Sequence, residues 1–199
     1  MSTQSHDSAT TDAAVDPGCR PMRADARRNR DRILVAAAEA FSSYGTDAQM
    51  DDVARAAGVG VGTVYRHFPT KEALVSELVR RKFARFVANA REGLEEPDPW
   101  EAFAGVLRAN AAVMAGDAAV REMVLRTPNA WSFAVAEREE LREVGDRLVR
   151  RAQEAGVLRP DFVVDDIPMI MCGVSSTMAS PAFDWRRHLE LVLDGLRAR

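Results

Sequence analysis

Apolar residues recur at spacings of three and four along most of the chain, the signature of helices that bury one face. Ile33, Leu34, Ala37 and Phe41 predict a first helix over about Asp31–Tyr44, with small Ala36, Ala38 and Ala40 allowing close packing and Gly45 closing it. Met50, Val53, Ala54 and Ala57 predict a short second helix. Gly58-Val59-Gly60 breaks it, because glycine accepts the left-handed backbone of a tight turn. A third helix follows, with Val61, Val64 and Phe68 able to face inward and Thr63, Tyr65, Arg66 and His67 left outside. Phe41, Val53 and Val64 are the expected middle of this three-helix core. Asp51 and Asp52 suit the first turn of helix two; no Ser or Thr caps it, and Asp47 is the nearest candidate.

Pro69 stops the third helix, and Thr70 is placed to cap the next. That helix should run from Lys71 to about Ala90 through Leu74, Leu78, Phe83, Phe86 and Val87, long enough to connect two parts of the molecule. After the linker EEPDPW, helices are expected over Trp100–Met114, from Asp117 through Val120, Met123 and Val124, and over Ala130–Ala155. Gly156 and Pro160 end the last of these. An apolar helix follows Asp161 and must start near Val164 for Pro168 to be tolerated. The closing DWRRHLELVLDGL sets Trp185, Leu189, Val192, Leu193 and Leu196 on one broad face. The last two helices are either buried within the protomer or paired with their symmetry mates in a four-helix bundle. The whole is an all-α fold of about nine helices, organised as a disordered tail over 1–22, a helix-turn-helix unit over 23–69, a connector over 70–92 and a larger helical domain over 93–199.

With 199 residues, 47% hydrophobic and 29% charged, the composition is globular. The net charge of -3 advertises no nucleic-acid partner; its distribution is more informative. Residues 20–82 carry 12 Lys/Arg against 8 Asp/Glu, and residues 83–199 carry 15 against 19. A basic front and an acidic back suit one part that approaches phosphates and one that does not. Cys19 and Cys172 are too isolated for a disulfide scaffold or a metal site, and His6, His67 and His188 lie in unrelated segments. No nucleophile–base arrangement, paired carboxylates in an apolar setting or phosphate loop is present, which argues against an enzyme; no cofactor is expected. No secretory signal or apolar run of membrane-spanning length occurs, so a soluble, cytoplasmic protein with no membrane partner is expected.

The short third helix carries the chemistry. Polar, aromatic and basic groups outward on a small helix after a tight turn are what a major-groove reader needs, although helix pairs of this shape also serve as scaffold. Arg23, Arg27, Arg28, Arg30 and Arg32 crowd the start of helix one. They are either a solvated helix start or phosphate contacts; the helix dipole disfavours arginine there, which favours the second reading.

The strings RILVAAAEAF, DDVARAAGVGVGTVYRHFPTKEAL and RRHLELVLDGL resemble the TetR family of bacterial transcriptional regulators, most densely over Arg30–Leu78. The resemblance implies a homodimer that binds a palindromic operator in double-stranded DNA, usually as a repressor, and responds to a small effector. Carried over to this chain, it implies DNA contacts from Gln49, Val61, Gly62, Thr63, Tyr65, Arg66, His67 and Lys71, to which the arginine-rich helix start adds Arg28 and Arg30. Glycine at Gly60 leaves absent a capping hydroxyl that many relatives have. The effector cavity would be lined by a subset of Phe83, Phe86, Phe103, Met114, Met123, Trp131, Phe133, Met171, Cys172 and Met178, each of which can equally be core. A methionine-rich wall favours an apolar ligand. The dimer face implied is Trp185, Leu189, Val192, Leu193 and Leu196. An activator, or a helical ligand-binding or interaction module that no longer binds DNA, are the alternatives.

Overall fold

Leu158 and Arg197 form an isolated antiparallel bridge; every other regular element among the described residues is helical. The computed structural model describes residues 19–44, 47–116 and 130–199. Their order is α1 (Cys19–Tyr44), α2 (Met50–Ala57), α3 (Val61–His67), α4 (Lys71–Leu94), α5 (Pro99–Gly116), a 3-10 turn (Ala130–Ala134), α6 (Val135–Glu154), α7 (Asp166–Thr177) and α8 (Trp185–Leu196). The helix expected from Asp117, with Met123, falls outside the described residues, as do Gly45 and most of the 1–22 tail. None of the described helices is long and apolar enough to cross a membrane.

The first core forms as the sequence pattern requires. Ile33, Phe41, Val53, Val64, Leu74 and Val79 are essentially inaccessible and belong to one apolar cluster shared by α1 to α4. Gly58 adopts a left-handed φ of 63° at the end of α2, which frees the chain to turn into α3. The cap of α2 corrects the expectation of Asp47: Gln49 is the cap residue, and its backbone N–H donates to the Asp52 carboxylate at 3.0 Å. This is the reciprocal half of a capping box, in which the N3 side chain satisfies the N–H of the cap residue. Thr70 caps α4 as expected, its hydroxyl accepting from the Ala73 N–H at 3.1 Å.

Helix α1 corrects a second expectation. It begins at Cys19 rather than near Asp31, so Arg23, Arg27, Arg28, Arg30 and Arg32 lie within a long helix and not at its start. The helix dipole therefore does not act on these arginines, because its reach is limited to the terminal turn.

The rear of the molecule packs α5, α6, α7 and α8 around Trp100, Phe103, Leu107, Val149, Leu158, Val174, Leu189 and Leu193. Asp98 and Asp184 cap α5 and α8, each accepting two backbone N–H groups. Pro168 is the third residue of α7, within the first turn where no intrahelical donor is lost. Helices α4 and α5 meet closely at Gly93, where a Cβ would run into Val106 Cγ2 and come within 3.1 Å of the Ala102 carbonyl.

Candidate nucleic-acid interface and internal cavity

Val64 is wholly buried against α1 and α2, and it fixes the rotation of α3 about its own axis. With Val64 inward, Val61, Gly62, Tyr65 and Arg66 point to solvent, and Tyr65 is 47% exposed despite its aromatic ring. Val61, expected to be able to face inward, is instead 38% exposed at the front of α3. Thr63 and His67 are half-buried. His67 departs from its expected exposure: its ring tilts against Phe68, and its Nε2 is buried without a hydrogen-bond partner. The outward set on α3 is thus narrower than the sequence suggests. Gln49 is exposed, and its side chain donates to the Asp47 carbonyl at 2.8 Å, in the loop that precedes α2.

The basic residues divide into two groups. Arg30 pairs with Glu77 at 3.0 Å and lies 5.3 Å from the centre of the Phe68 ring, so it pins α1 to α4. Arg32 donates to the Ala57 carbonyl at 2.6 Å, bracing the end of α2. These two arginines have structural partners. Arg27 and Arg28 are exposed, the latter paired with Asp25 on its own helix; Arg66 is exposed on α3. Lys71 opens α4 with its ammonium 5.6 Å from the Phe41 ring centre.

A line of ion pairs runs back from this front. Asp31 on α1 meets Arg81 on α4, and that guanidinium holds the Asp31 carboxyl below its ordinary range. Arg80, on the next position of α4, reaches Glu137 on α6 at 2.9 Å. The Glu137 carboxyl is held low by its own backbone N–H at the start of α6, with Arg80 adding to the effect.

Beside Glu137 lies a partly open cavity of about 270 Å³ bounded by α4, α5, α6 and the start of α7. Phe83 and Phe103 line it, as expected; Val106, Leu107, Leu141, Leu148 and Ile167 complete its apolar wall. Arg138, Glu139, Arg142 and Asp165 supply charge, and Arg142 pairs with Asp165 at 3.2 Å. The other expected lining residues are elsewhere. Phe86 is in the front core, with Met114 and Phe133 packed against it. Met171 and Met178 pack against the rear core, and Cys172 is exposed. Met123 and the Trp131 side chain lie outside the described residues. Among the described residues no methionine lines this cavity; the helix rotations that decide it leave no trace in residue type alone.

The same rotations turn the leucines of the expected dimer face inward. Leu189, Leu193 and Leu196 are buried inside the protomer, and Trp185 and Val192 pack partly against the same core. The face that α7 and α8 turn outward carries Met169 (68% exposed), Leu191 (59% exposed) and Phe183 in the preceding loop, with Cys172, Gly173 and Ser176 between them. Among the described residues, no group of three or more His, Cys, Asp or Glu could hold a metal ion.

Residues 33–78 match the family model of the bacterial regulatory proteins, tetR family, and residues 98–198 match that of the SbtR-like transcriptional regulator C-terminal domain. The chain is 28% identical over 205 residues to the HTH-type transcriptional repressor KstR of Rhodococcus jostii, covering 98% of this chain and 95% of that one. A TetR transcription regulatory protein from Mycobacterium vanbaalenii is 34% identical with a TM-score of 0.67, over 89% of this chain and all (100%) of that one. A TetR transcriptional regulator from Streptomyces coelicolor is also 34% identical, with a TM-score of 0.63 over 85% and 98%.

Proposed function

This chain belongs to the TetR family of bacterial transcriptional regulators, and from that premise we propose that it is a cytoplasmic homodimeric repressor, released from a palindromic operator by a small, largely apolar effector. The observation that carries the proposal is the set of α3: one buried anchor, Val64, and an outward face of Val61, Gly62, Tyr65 and Arg66. In a major groove that face brings an aromatic ring and a guanidinium to base edges and thymine methyls, while Thr63 and the half-buried His67 flank them. Arg28, Gln49 and Lys71 reach the flanking phosphates. Arg30 and Arg32 keep their internal partners and hold the unit's shape.

Two recognition helices must sit about 34–36 Å apart to read successive grooves, which requires a twofold partner. The exposed apolar outer face of α7 and α8 supplies it, with Met169, Phe183 and Leu191 as anchors and Gly173 and Ser176 allowing the helices of the two copies close approach. The name of the Rhodococcus jostii relative, a repressor, supports the sign of regulation. The cavity beside α4 supports an effector site, since a ligand there pushes directly on the helix that begins at Lys71 and ends against α5. A 100-fold loss of operator affinity requires a coupling of about 2.7 kcal/mol, ordinary for an allosteric protein.

The test is to incubate the purified protein with sheared genomic DNA from its source at moderate salt and sequence what stays bound. A short inverted repeat in a few promoters is the expected result. Enrichment of no common site contradicts the proposal and favours a helical module that no longer reads DNA.

A further inference from the structure

Asn89 on α4 and Asn110 on α5 are buried to 6% and 9% exposure among apolar neighbours, where a polar side chain has a cost unless its hydrogen bonds are made. Asn89 Nδ2 donates to Asn110 Oδ1 at 2.9 Å, and this is the only side-chain hydrogen bond either makes among the described residues. Each carboxamide offers two donor hydrogens and two acceptor lone pairs. The single bond between them leaves most of that capacity unused. Asn110 is also part of the cavity wall, together with Phe103, Val106 and Leu107. A pair kept only to hold α4 against α5 has little to add there, because the close approach at Gly93 already fixes that crossing.

We infer that Asn110, oriented by Asn89, is the polar reader of the cavity, and that the ligand is a neutral, mostly apolar molecule carrying one carbonyl or hydroxyl oxygen at its inner end. The inference rests on the cavity being the effector site. With Asn110 Oδ1 engaged by Asn89, its Nδ2 is the group left to meet a ligand carbonyl. Turning both carboxamides over preserves the bond between them and presents Oδ1 instead, to meet a ligand hydroxyl. Neutrality follows from the rest of the wall: among the described residues Arg138 and Arg142 are balanced by Glu139 and Asp165, leaving no net charge to set against a charged ligand. An apolar cavity of about 150 Å³ holds benzene, so this one takes a ligand of roughly ten non-hydrogen atoms.

The test uses the full chain and two probes that differ by one oxygen, α-tetralone and its parent hydrocarbon tetralin, in calorimetric titrations. A cavity with no polar reader binds tetralin more tightly, because the hydrocarbon is the more hydrophobic. The expected result is a preference for α-tetralone of about tenfold, the equivalent of about 1.4 kcal/mol. The paired substitution Asn89→Leu with Asn110→Leu removes both polar groups together, so neither is orphaned; it should reverse the preference towards tetralin. Equal or tighter binding of tetralin to the unmodified protein overturns the inference without any variant. So does an unchanged preference in the double variant, and in both cases the cavity stands as a ligand site. Failure of both probes to bind the unmodified protein overturns the cavity reading and this inference together.

Discussion

Gly93 sits where α4 and α5 approach most closely, and the two physical effects of a methyl group there oppose each other. Alanine gains about 1 kcal/mol over glycine in a helix interior, and less so near the end of α4. Against that, the new carbon would run into Val106 Cγ2, and Val106 is itself buried. Overpacking of this kind costs about 1–3 kcal/mol, so the clash wins. Gly93→Ala should lower the thermal midpoint by about 2–4 °C for each kcal/mol lost, measured by circular dichroism; an unchanged or higher midpoint would show that the helices separate without cost. The single residues were the least legible part of the sequence. Arginines at 30 and 32 look identical to those at 27 and 28 in a string of letters, yet one pair is tied to Glu77 and the Ala57 carbonyl and the other is exposed. Only the rotation of α1 against its neighbours separates them.

At the scale of elements, α8 is the instructive case. Its apolar positions at Leu189, Leu193 and Leu196 face the protomer's own core, and Leu191 faces the other way. Periodicity identifies an apolar stripe but does not say whether the stripe meets the same chain or a second copy. The two faces have different consequences when charged. Leu191→Glu should leave the fold intact and give a monomer in sedimentation, because its side chain is already in water in the single chain. Leu189→Glu should instead unfold the rear core, since it places an unpaired carboxylate among apolar groups at a cost of several kcal/mol. A dimeric Leu191→Glu protein would remove that face from the interface. By contrast, the end of α2, the extent of α3 and the start of α4 were readable in advance, because Gly58, Pro69 and Thr70 act through local backbone chemistry that needs no tertiary context.

Across the whole molecule, the front unit and the cavity are joined by α4, with Asp31–Arg81 and Arg30–Glu77 tying it to α1 and Arg80–Glu137 tying it to α6. Each such surface pair contributes little alone. Their value is geometric: together they tie the position of α4 to both α1 and α6. The helix-turn-helix unit was legible because a seven-residue helix with one buried anchor leaves few ways to face. The cavity was not, because its wall is drawn from four helices whose rotations no local rule fixes.

Fluorescence anisotropy decides whether the outward face of α3 reads DNA sequence. The titration compares the enriched operator and a scrambled duplex, with the unmodified protein and Tyr65→Ala. The expected outcome is a loss of operator affinity of about tenfold or more, corresponding to about 1–3 kcal/mol of base discrimination, with binding to the scrambled duplex unchanged. Operator affinity that is the same for both proteins would contradict that role.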